Sequence, residues 1–307
     1  MTTTPEAPHA LTALSDQLAD AVEQVGPAVV QVDGRPRRPS SGVVFAPGLV
    51  LAADHALERE HDLTVETACG PSLPAELVGR DPASDLAVLR VPGLAAPPAR
   101  EAATPARVGQ LVLAVGRPGG RAVMASLGIV SAAGGPLRTR GGLLDRYLQT
   151  DATPYPGFSG GALIDASGAV LGLLTTGLAG GAALAVPVEL AWRLAETLAR
   201  QGQVPRGWLG VGSQPVRIPA AQRRAGVAEA GLLVVEVAPG SPAEAGGLLL
   251  GDVLVAVDGQ PVHDPDGLQA LLGGDRVGRT VAVEILRGGA PLRLAVTIGQ
   301  RPSRGPR

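Results

Sequence analysis

The sequence predicts a mainly β protein, with two successive small barrels, a connecting helix and a separate β-rich module. Short apolar runs rich in β-branched residues recur through the 307 residues, and 43 glycines and 28 prolines are spread between them. Apolar residues make up 45% of the chain and charged residues 18%, a content that can fill substantial cores and argues against a disordered chain. The length favours two or three domains.

Charge and residue content exclude several classes of protein. The chain carries 26 basic and 28 acidic side chains, for a formal net charge of −2 at pH 7. A nucleic-acid binder needs a basic surplus or stripe against phosphate, so we expect no nucleic-acid partner. Lysine and asparagine are absent, which excludes a Walker-type phosphate loop and any mechanism built on either residue. The sequence implies no cofactor.

Two sets of β-rich runs predict one double-barrel domain over 26–202. An N-terminal segment, 1–25, precedes this domain and contains an amphipathic helix at 11–25. Six runs follow from Ala28 within about 65 residues, which is typical of a small antiparallel barrel. A second set resembles the first, and a helix after it ends near Gly202. The first set is AVVQV, SGVVFA, GLVLAA, DLTVE, AELVGR and DLAVLRV; the second is GQLVLAVG, ASLGIVSAA, RYLQTDA, GALIDASGAVLGLLTTG and AALAVPV.

The longest uncharged stretch, 166–188, is long enough to span a bilayer. Its five glycines, two adjacent threonines and Pro187 favour two buried strands with a glycine-rich loop, so we expect no transmembrane segment. The N-terminus, 1–10, has neither a basic n-region nor an apolar h-region. The absence of a secretory signal there predicts a cytoplasmic protein.

A third unit is predicted over 203–300. Ser241 begins a Ser-x-x-Glu capping box with Pro242 at the first helical position, and Asp264 opens a second helix. The runs GLLVVEV, DVLVAVDG, TVAVEIL and LRLAVTI surround these helices. The unit is therefore expected to be a compact β-rich domain, followed by a solvated basic tail at 301–307.

The candidate nucleophile is Ser159, in the run Gly-Phe-Ser-Gly-Gly that begins at Gly157. A serine that attacks a carbonyl must stand on a tight turn where backbone N–H groups converge on the developing oxyanion. Glycines permit such a turn, and the N–H groups of Gly157 and Ser159 are the natural donors. Taken alone, a turn of this kind in a glycine-rich protein is more often a simple connection.

A serine nucleophile also needs a general base and a carboxylate that orients the base. Of the four histidines, His55 alone directly follows an apolar strand. Asp85 opens another apolar strand, where a charged group is unexpected unless it has a partner. Asp81 is the neighbouring alternative, but the proline after it is typical of a turn.

These residues carry a resemblance to the trypsin-like serine proteases of the HtrA (DegP-like) family, which covers roughly residues 24–300. The resemblance implies a double-barrel protease domain followed by a PDZ domain, and since many relatives work in the cell envelope, it offers that location as the alternative to the cytoplasm. It also implies His55 as general base, Asp85 as its orienting carboxylate and Ser159 as nucleophile, with Gly157 and Ser159 as oxyanion donors. The matching motifs include SSGVVFAPGLVLAADHAL, VGRDPASDLAVLRV, LQTDATPYPGFSGGALID and AVPVELA.

The chain departs from the family pattern beside two of these residues. Phe158 stands where Asn or Asp is usual, and either fills part of the substrate cleft or packs elsewhere. Asp54 stands in place of a neutral residue before the histidine, and we expect it to be solvated. In this fold the residue six before the nucleophile, Thr153, sets much of the preference for the P1 side chain. No acidic residue occurs there or around 175–183, so small or aliphatic P1 side chains are predicted rather than Arg or Lys.

The run that begins at Arg206 resembles the carboxylate-binding loop of a PDZ domain. Backbone N–H groups in such a loop receive a peptide's terminal carboxylate while the peptide extends a sheet edge. Alternatively, the apolar residues of this loop line no peptide pocket and only complete the core of the domain predicted over 203–300. The residues predicted to bind peptide are Trp208, Leu209, Gly210, Val211 and Leu268.

Other functions were weighed against an endopeptidase that acts in protein quality control. A non-catalytic, chaperone-like scaffold could retain the protease fold for holding unfolded chains. A cysteine hydrolase built on Cys69 lacks an asparagine and a convincing histidine, and the spacing of His55 and His61 matches no zinc-ligand helix. A homotrimer is one option, since relatives often trimerise through aromatic residues near the N-terminus. Here nothing aromatic precedes Phe45, and the helix at 11–25 could replace that contact or pack on its own barrel.

Overall fold

The structure is a computed structural model that describes residues 10–68, 70–119, 122–139, 142–178, 183–219, 229–273 and 276–301. The chain divides into two compact units, Met1–Val204 and Pro205–Arg307. This division lies two residues from the predicted boundary after 202. Cys69 and all of the predicted basic tail except Arg301 lie outside the described residues.

The first unit opens with helix α1 (Ala10–Val25), whose Ala21 and Val25 are buried. Six strands then close into an antiparallel barrel, in the order β1-β2-β3-β6-β5-β4. Most of these strands are buried on both faces, and alternate residues belong to two different core clusters, as Val30 and Val44 in one and Val29 and Val43 in the other show. The strands are β1 (Val29–Asp33), β2 (Ser40–Ala46), β3 (Leu49–Ala53), β4 (Leu63–Glu66), β5 (Leu73–Asp81) and β6 (Leu86–Arg90).

The second barrel has the order β11-β14-β13-β12-β7-β8. The uncharged stretch 166–188 contributes two of its buried strands, β13 and β14, as predicted. A hairpin of two three-residue strands, β9 and β10, was not predicted. The strands are β7 (Leu111–Gly116), β8 (Met124–Gly134), β9 (Leu137–Thr139), β10 (Gly142–Leu144), β11 (Tyr147–Thr150), β12 (Ala162–Ile164), β13 (Val170–Thr175) and β14 (Leu184–Pro187).

Helix α2 (Val188–Gln201) follows the second barrel and ends where the sequence predicts. Gly202 adopts a left-handed φ of 72°, and its N–H donates to the carbonyl of Leu198, which satisfies a carbonyl at the helix end. Leu190 and Leu198 lie in the core shared by the helix and the barrels. Of the helices that the described residues form, none is long and apolar enough to cross a membrane.

The second unit is built on a sheet with the strand order β16-β17-β18-β20-β21, so β16 lies at one edge. Both predicted helix caps are confirmed: Ser241 Oγ accepts from the N–H of Glu244, and Asp264 Oδ1 accepts from the N–H of Gly267. The elements are β15 (Gly207–Trp208), β16 (Val211–Arg217), β17 (Ala230–Val237), α3 (Pro242–Ala245), β18 (Val253–Val257), β19 (Gln260–Pro261), α4 (Pro265–Leu271), β20 (Thr280–Arg287), β21 (Ala290–Thr297) and β22 (Gly299–Gln300).

Candidate active site

His55 and Asp85 form a hydrogen-bonded pair in the first barrel. His55 Nδ1 lies 2.7 Å from Asp85 Oδ2, and the backbone N–H of His55 donates to Asp85 Oδ1 at 2.8 Å. The carboxylate is 4% exposed, whereas the histidine side chain is 30% exposed. A buried carboxylate on Nδ1 fixes the ring tautomer and leaves Nε2 as the nitrogen that can take a proton.

The pairing of β3 with β6 explains why these residues meet. Ala53, the last residue of β3, lies opposite Leu86, the first residue of β6. His55 follows in the short 3-10 turn at Asp54–Ala56, and Asp85 directly precedes β6, so both stand at the same end of the strand pair. Asp85 adopts a left-handed φ of 56°, a conformation that aspartate tolerates better than most residues. The alternative orienting carboxylate, Asp81, instead accepts hydrogen bonds from Ser84.

Ser159 stands on a tight turn that leads into β12, and it is 6% exposed. Gly157 and Gly160 take left-handed φ angles of 87° and 86°. A Cβ on Gly160 would lie 2.1 Å from the carbonyl oxygen of Ser41, so only glycine fits there. Among the described residues, no protein acceptor is bonded to the N–H of Gly157 or Ser159. The turn therefore presents two unused donors beside the serine.

Ser41 on β2 connects the nucleophile turn to the first barrel. Its N–H donates to the carbonyl of Ser159 at 3.1 Å, and its Oγ donates to the carbonyl of Gly157 at 2.8 Å. The same Oγ accepts from the N–H of Arg117 at 2.8 Å. The Arg117 side chain is 2% exposed and donates to the carbonyls of Val29 and Gly26. These bonds hold the turn against the barrel that carries the histidine.

The segment Thr175–Gly177 contacts His55, Asp85 and Ser159 from the end of β13, a role that the sequence does not predict. The buried Thr175 hydroxyl donates to Asp85 Oδ2 and accepts from the N–H of Gly177. A Cβ on Gly177 would lie 2.5 Å from His55 Nδ1. The sequence signals this segment only by two adjacent threonines directly after an apolar run. Such a pair is found equally at an ordinary strand end, so it does not predict contacts with Asp85 or Ser159.

Asp54 is not solvated, so that expectation was wrong. It is 8% exposed, and its Oδ1 lies 2.5 Å from the Nε of Arg80 on β5. Burial raises the pKa of Asp54, and the hydrogen bond and positive charge of Arg80 oppose this shift. Arg80 also donates to the carbonyl of Leu57 and to Glu60. The pair therefore fastens the turn that carries His55 to the neighbouring strand.

Phe158 packs in the second barrel. It is 1% exposed and belongs to the core cluster that contains Leu163 and Leu174. Its ring meets the edge of Tyr155 at a centroid distance of 5.4 Å. Thr153 is exposed, and its carbonyl accepts from Ser126 Oγ at 2.7 Å. The part of the predicted pocket at 179–182 lies outside the described residues.

In the second unit, the predicted peptide-binding residues cluster at one end of the sheet. Leu209 is 1% exposed and shares a core cluster with Leu268, and Val211 packs against that cluster. Trp208 lies on β15 and is half-buried. Gly210 takes a φ of 85° with space for no side chain, since a Cβ would lie 2.2 Å from the Cβ of Ser241. The core interpretation therefore holds for Leu209, which is too deeply buried to line a surface pocket.

Metal binding finds no support in the described part of the chain. No group of three or more His, Cys, Asp or Glu side chains there is placed to hold an ion. His61, the second histidine considered for zinc, is exposed.

Comparisons with known proteins agree with this geometry. Residues 40–173 match the model of the trypsin-like peptidase domain, and residues 207–298 match that of the PDZ domain. The solved HtrA-type protease AlgW with a decapeptide is 30% identical, with a TM-score of 0.78 over 94% of this chain and 99% of that one. The chain belongs to the HtrA family of serine endoproteases.

Curated HtrA-family relatives extend beyond this chain. A probable periplasmic DegP-like serine endoprotease of Ectopseudomonas mendocina is 36% identical over 275 residues, which are 87% of this chain and 57% of the relative. One from Rhizobium meliloti is 38% identical over 278 residues, 88% of this chain and 55% of the relative. The chain thus spans a little over half the length of these relatives.

The same relatives correct the expected location. They are named periplasmic endoproteases, which supports the cell envelope rather than the cytoplasm predicted from the N-terminus. That prediction was wrong because it rested on an absent signal alone.

Proposed function

We propose that this protein is a serine endopeptidase that cleaves exposed or unfolded polypeptide through an acyl-enzyme intermediate. The observation that carries the proposal is the buried Asp85 on His55 Nδ1, together with a serine on a glycine turn, since adjacent threonines at the end of β13 contact Asp85 and Ser159. His55 Nε2 takes the proton of Ser159 as the hydroxyl attacks the carbonyl carbon, and then gives it to the leaving amine. Water, activated by the same nitrogen, hydrolyses the acyl-enzyme.

Acyl transfer also needs hydrogen-bond donors for the oxyanion, and the unused N–H groups of Gly157 and Ser159 support this part of the proposal. The tetrahedral intermediate carries negative charge on the former carbonyl oxygen, and donors already in place stabilise it without reorganisation. Gly157 and Ser159 supply those donors. The bonds from Ser41 to the carbonyls of the same two residues keep the turn in a fixed orientation.

Reaction with a fluorophosphonate label, followed by peptide mapping, tests the proposal, because the reagent needs an activated serine. We expect the label on Ser159, and we expect Ser159→Ala to lower kcat/KM on an unfolded protein by about 10⁴- to 10⁶-fold. Ser167→Ala, on an exposed turn of the same barrel, is the matched control. A protein that folds but takes no label, and whose Ser159→Ala variant holds unfolded chains equally well, would be a scaffold instead.

For the S1 pocket we propose a preference for small or aliphatic P1 side chains. Thr153 stands at the position that governs this preference in the trypsin fold, and it carries no charge that would attract Arg or Lys. A panel of peptides that differ only at P1 tests this directly. Fastest cleavage after Arg contradicts the assignment.

The PDZ domain is proposed to bind peptide C-termini. Its edge strand β16 lies next to α4, and the loop before it contains Leu209 and Gly210, whose N–H groups have no backbone acceptor among the described residues. A terminal carboxylate would accept from these donors while the peptide pairs with the strand edge. A hydrophobic C-terminal peptide should therefore bind more tightly than its amidated form. Equal affinities for the free and the amidated peptide would contradict carboxylate binding.

The chain's role and assembly are proposed from the family. Protein quality control in the cell envelope fits relatives that are named periplasmic endoproteases.

A homotrimer through α1 is supported by the apolar side chains of Leu11 and Leu14, which are 71% and 36% exposed, while Ala21 and Val25 pack on the barrels. Sedimentation equilibrium of the parent and of a Leu11→Gln/Leu14→Gln variant distinguishes a trimer that α1 assembles from a monomer.

A further inference from the structure

Thr176 touches the nucleophile. Its Oγ1 lies 3.1 Å from Ser159 Oγ, a hydrogen bond in which either atom can donate. Thr176 follows directly after β13 and is half-buried. Its hydroxyl has no other protein partner among the described residues.

The strand register places this contact. The N–H of Gly160 donates to the carbonyl of Leu174 at 2.8 Å, and the N–H of Leu174 donates to the carbonyl of Gly161 at 2.8 Å. These two bonds lay the nucleophile turn along the end of β13. The residues on either side of Thr176 are also held, since the Thr175 hydroxyl bonds both Asp85 and the N–H of Gly177. The Thr176 backbone is therefore fixed relative to the triad.

The Ser159 hydroxyl can donate to one acceptor at a time. Serine has one O–H proton, and general-base catalysis needs that proton directed at His55 Nε2. Among the described residues, Ser159 Oγ is bonded to Thr176 and has no hydrogen bond to His55. When Ser159 is the donor in this contact, its one proton points at Thr176 Oγ1 and not at its base. From that arrangement, reaction requires the hydroxyl to exchange Thr176 for His55 as its acceptor.

We propose that Thr176 is a positioning residue that holds the Ser159 hydroxyl in a resting orientation, and that acylation begins when the hydroxyl leaves Thr176 for His55. This inference rests on the proposed function. A β-branched residue suits the task, because its χ1 is restricted and its Oγ1 stays in one place while the unbranched serine turns. The contact lowers the fraction of enzyme that is ready to react.

Thr176→Val tests the proposal, since valine keeps the shape and the branching but removes the hydroxyl. A neutral hydrogen bond is modest in net strength, so we expect the rate of labelling by a small alkyl fluorophosphonate to rise by about 3- to 10-fold. With a peptide substrate, kcat should rise by a similar factor while KM stays within twofold. Thr176→Ser keeps the hydroxyl but loses the branching that fixes it, so its labelling rate and kcat should lie between those of the parent and those of Thr176→Val.

The outcomes are distinct. Slower or unchanged labelling of a folded Thr176→Val variant overturns the inference, because the hydroxyl would then assist Ser159 or be irrelevant to it. A change that appears equally in Thr176→Ser also overturns it, since the effect would not depend on the hydroxyl. If neither parent nor variant takes the label, both the inference and the proposed function fail. Labelling of the variant alone supports the inference.

Discussion

At the scale of single residues, the contribution to stability of the ion pair beside His55 can be measured by breaking it. Asp54 is buried, and the hydrogen bond and charge of Arg80 oppose the rise in its pKa that burial causes. Arg80→Gln leaves the carboxylate without its cation, and since the Arg80 side chain is 32% exposed, we expect a loss of about 1–3 kcal/mol in the free energy of unfolding near pH 7. Urea unfolding measures it. The double variant Asp54→Asn/Arg80→Gln should recover most of the loss.

The sign of the pH dependence follows from the raised pKa of Asp54, caused mainly by burial. A carboxyl whose pKa is higher in the folded state favours folding most below its unfolded pKa, and the benefit is lost as the pH rises through the folded value. The deficit of Arg80→Gln should therefore shrink on acidification, because protonation removes the buried charge. A deficit that grows in acid would contradict this account.

Gly177 gives a second prediction at this scale, because its missing side chain leaves room for the histidine. A Cβ there would lie 2.5 Å from His55 Nδ1 and 2.9 Å from Asp85 Oδ2, so Gly177→Ala must displace the ring or the carboxylate. Displacements of about 1 Å can cost on the order of 10²-fold in rate, and we expect a loss of about 10- to 100-fold in kcat. Gly119→Ala, which adds a Cβ in open space, should keep full activity. Steady-state kinetics on one peptide decides between them.

His55, Asp85 and Ser159 each lie in a motif that keeps its family spacing, so three local patterns were enough to predict them as a site. The structure brings His55 and Asp85 together, whereas the residues that support them were not predicted. Asp54 was misjudged because its partner, Arg80, lies 26 residues away on another strand. Pairing across a barrel depends on register, which the sequence does not display.

At the scale of elements, strand β2 of one barrel holds the nucleophile turn of the other. Ser41 Oγ donates a hydrogen bond to the carbonyl of Gly157 and accepts one from the N–H of Arg117. Ser41→Ala removes both bonds and leaves these two backbone groups without this partner. Buried polar groups without partners cost about 1–3 kcal/mol each, so we expect lower stability together with a fall of about tenfold in kcat. Stopped-flow acylation and urea unfolding measure the two effects.

Ser40 supplies the matched control on the same strand. It is also fully buried, but among the described residues its Oγ bonds only the carbonyl of Val32, at 3.4 Å, within its own barrel. Ser40→Ala should lower stability slightly and leave kcat unchanged. Equal losses of kcat in the two variants would mean that packing of β2, rather than the bond to the turn, governs activity.

Elements were predictable where period and length were clear. All six runs of the first set became strands because each alternates or is fully apolar between turn residues. The hairpin β9–β10 was missed because strands of three residues carry too little pattern. β16 was missed for another reason: Gly212 and Pro215 weaken its strand signal, and the edge position tolerates them.

At the scale of the whole molecule, the stability of the two units should depend differently on pH. Asp252 in the second unit is 2% exposed, and burial opposes its ionisation. Two hydrogen bonds from Arg287, one from the N–H of Leu249 and the charge of Arg287 outweigh burial and lower the pKa of Asp252. A lowered pKa gives stability above the unfolded value, and that stability is lost as the pH falls through the folded value. Asp54, with its raised pKa, contributes in the opposite direction in the first unit.

The two tryptophans of the chain make this difference observable, since Trp192 lies in the first unit and Trp208 in the second. Multi-domain chains need not unfold in one step, so fluorescence of Trp208→Phe follows the first unit and that of Trp192→Phe follows the second. As the pH falls from the unfolded pKa of aspartate, about 3.9, toward the lower folded value, the urea midpoint should fall more for the second unit. Asp252→Asn should remove most of that dependence, whereas Glu236→Gln, at an exposed site, should preserve it. Identical pH dependence at both tryptophans, or an unchanged slope in Asp252→Asn, would show that other carboxylates control acid unfolding.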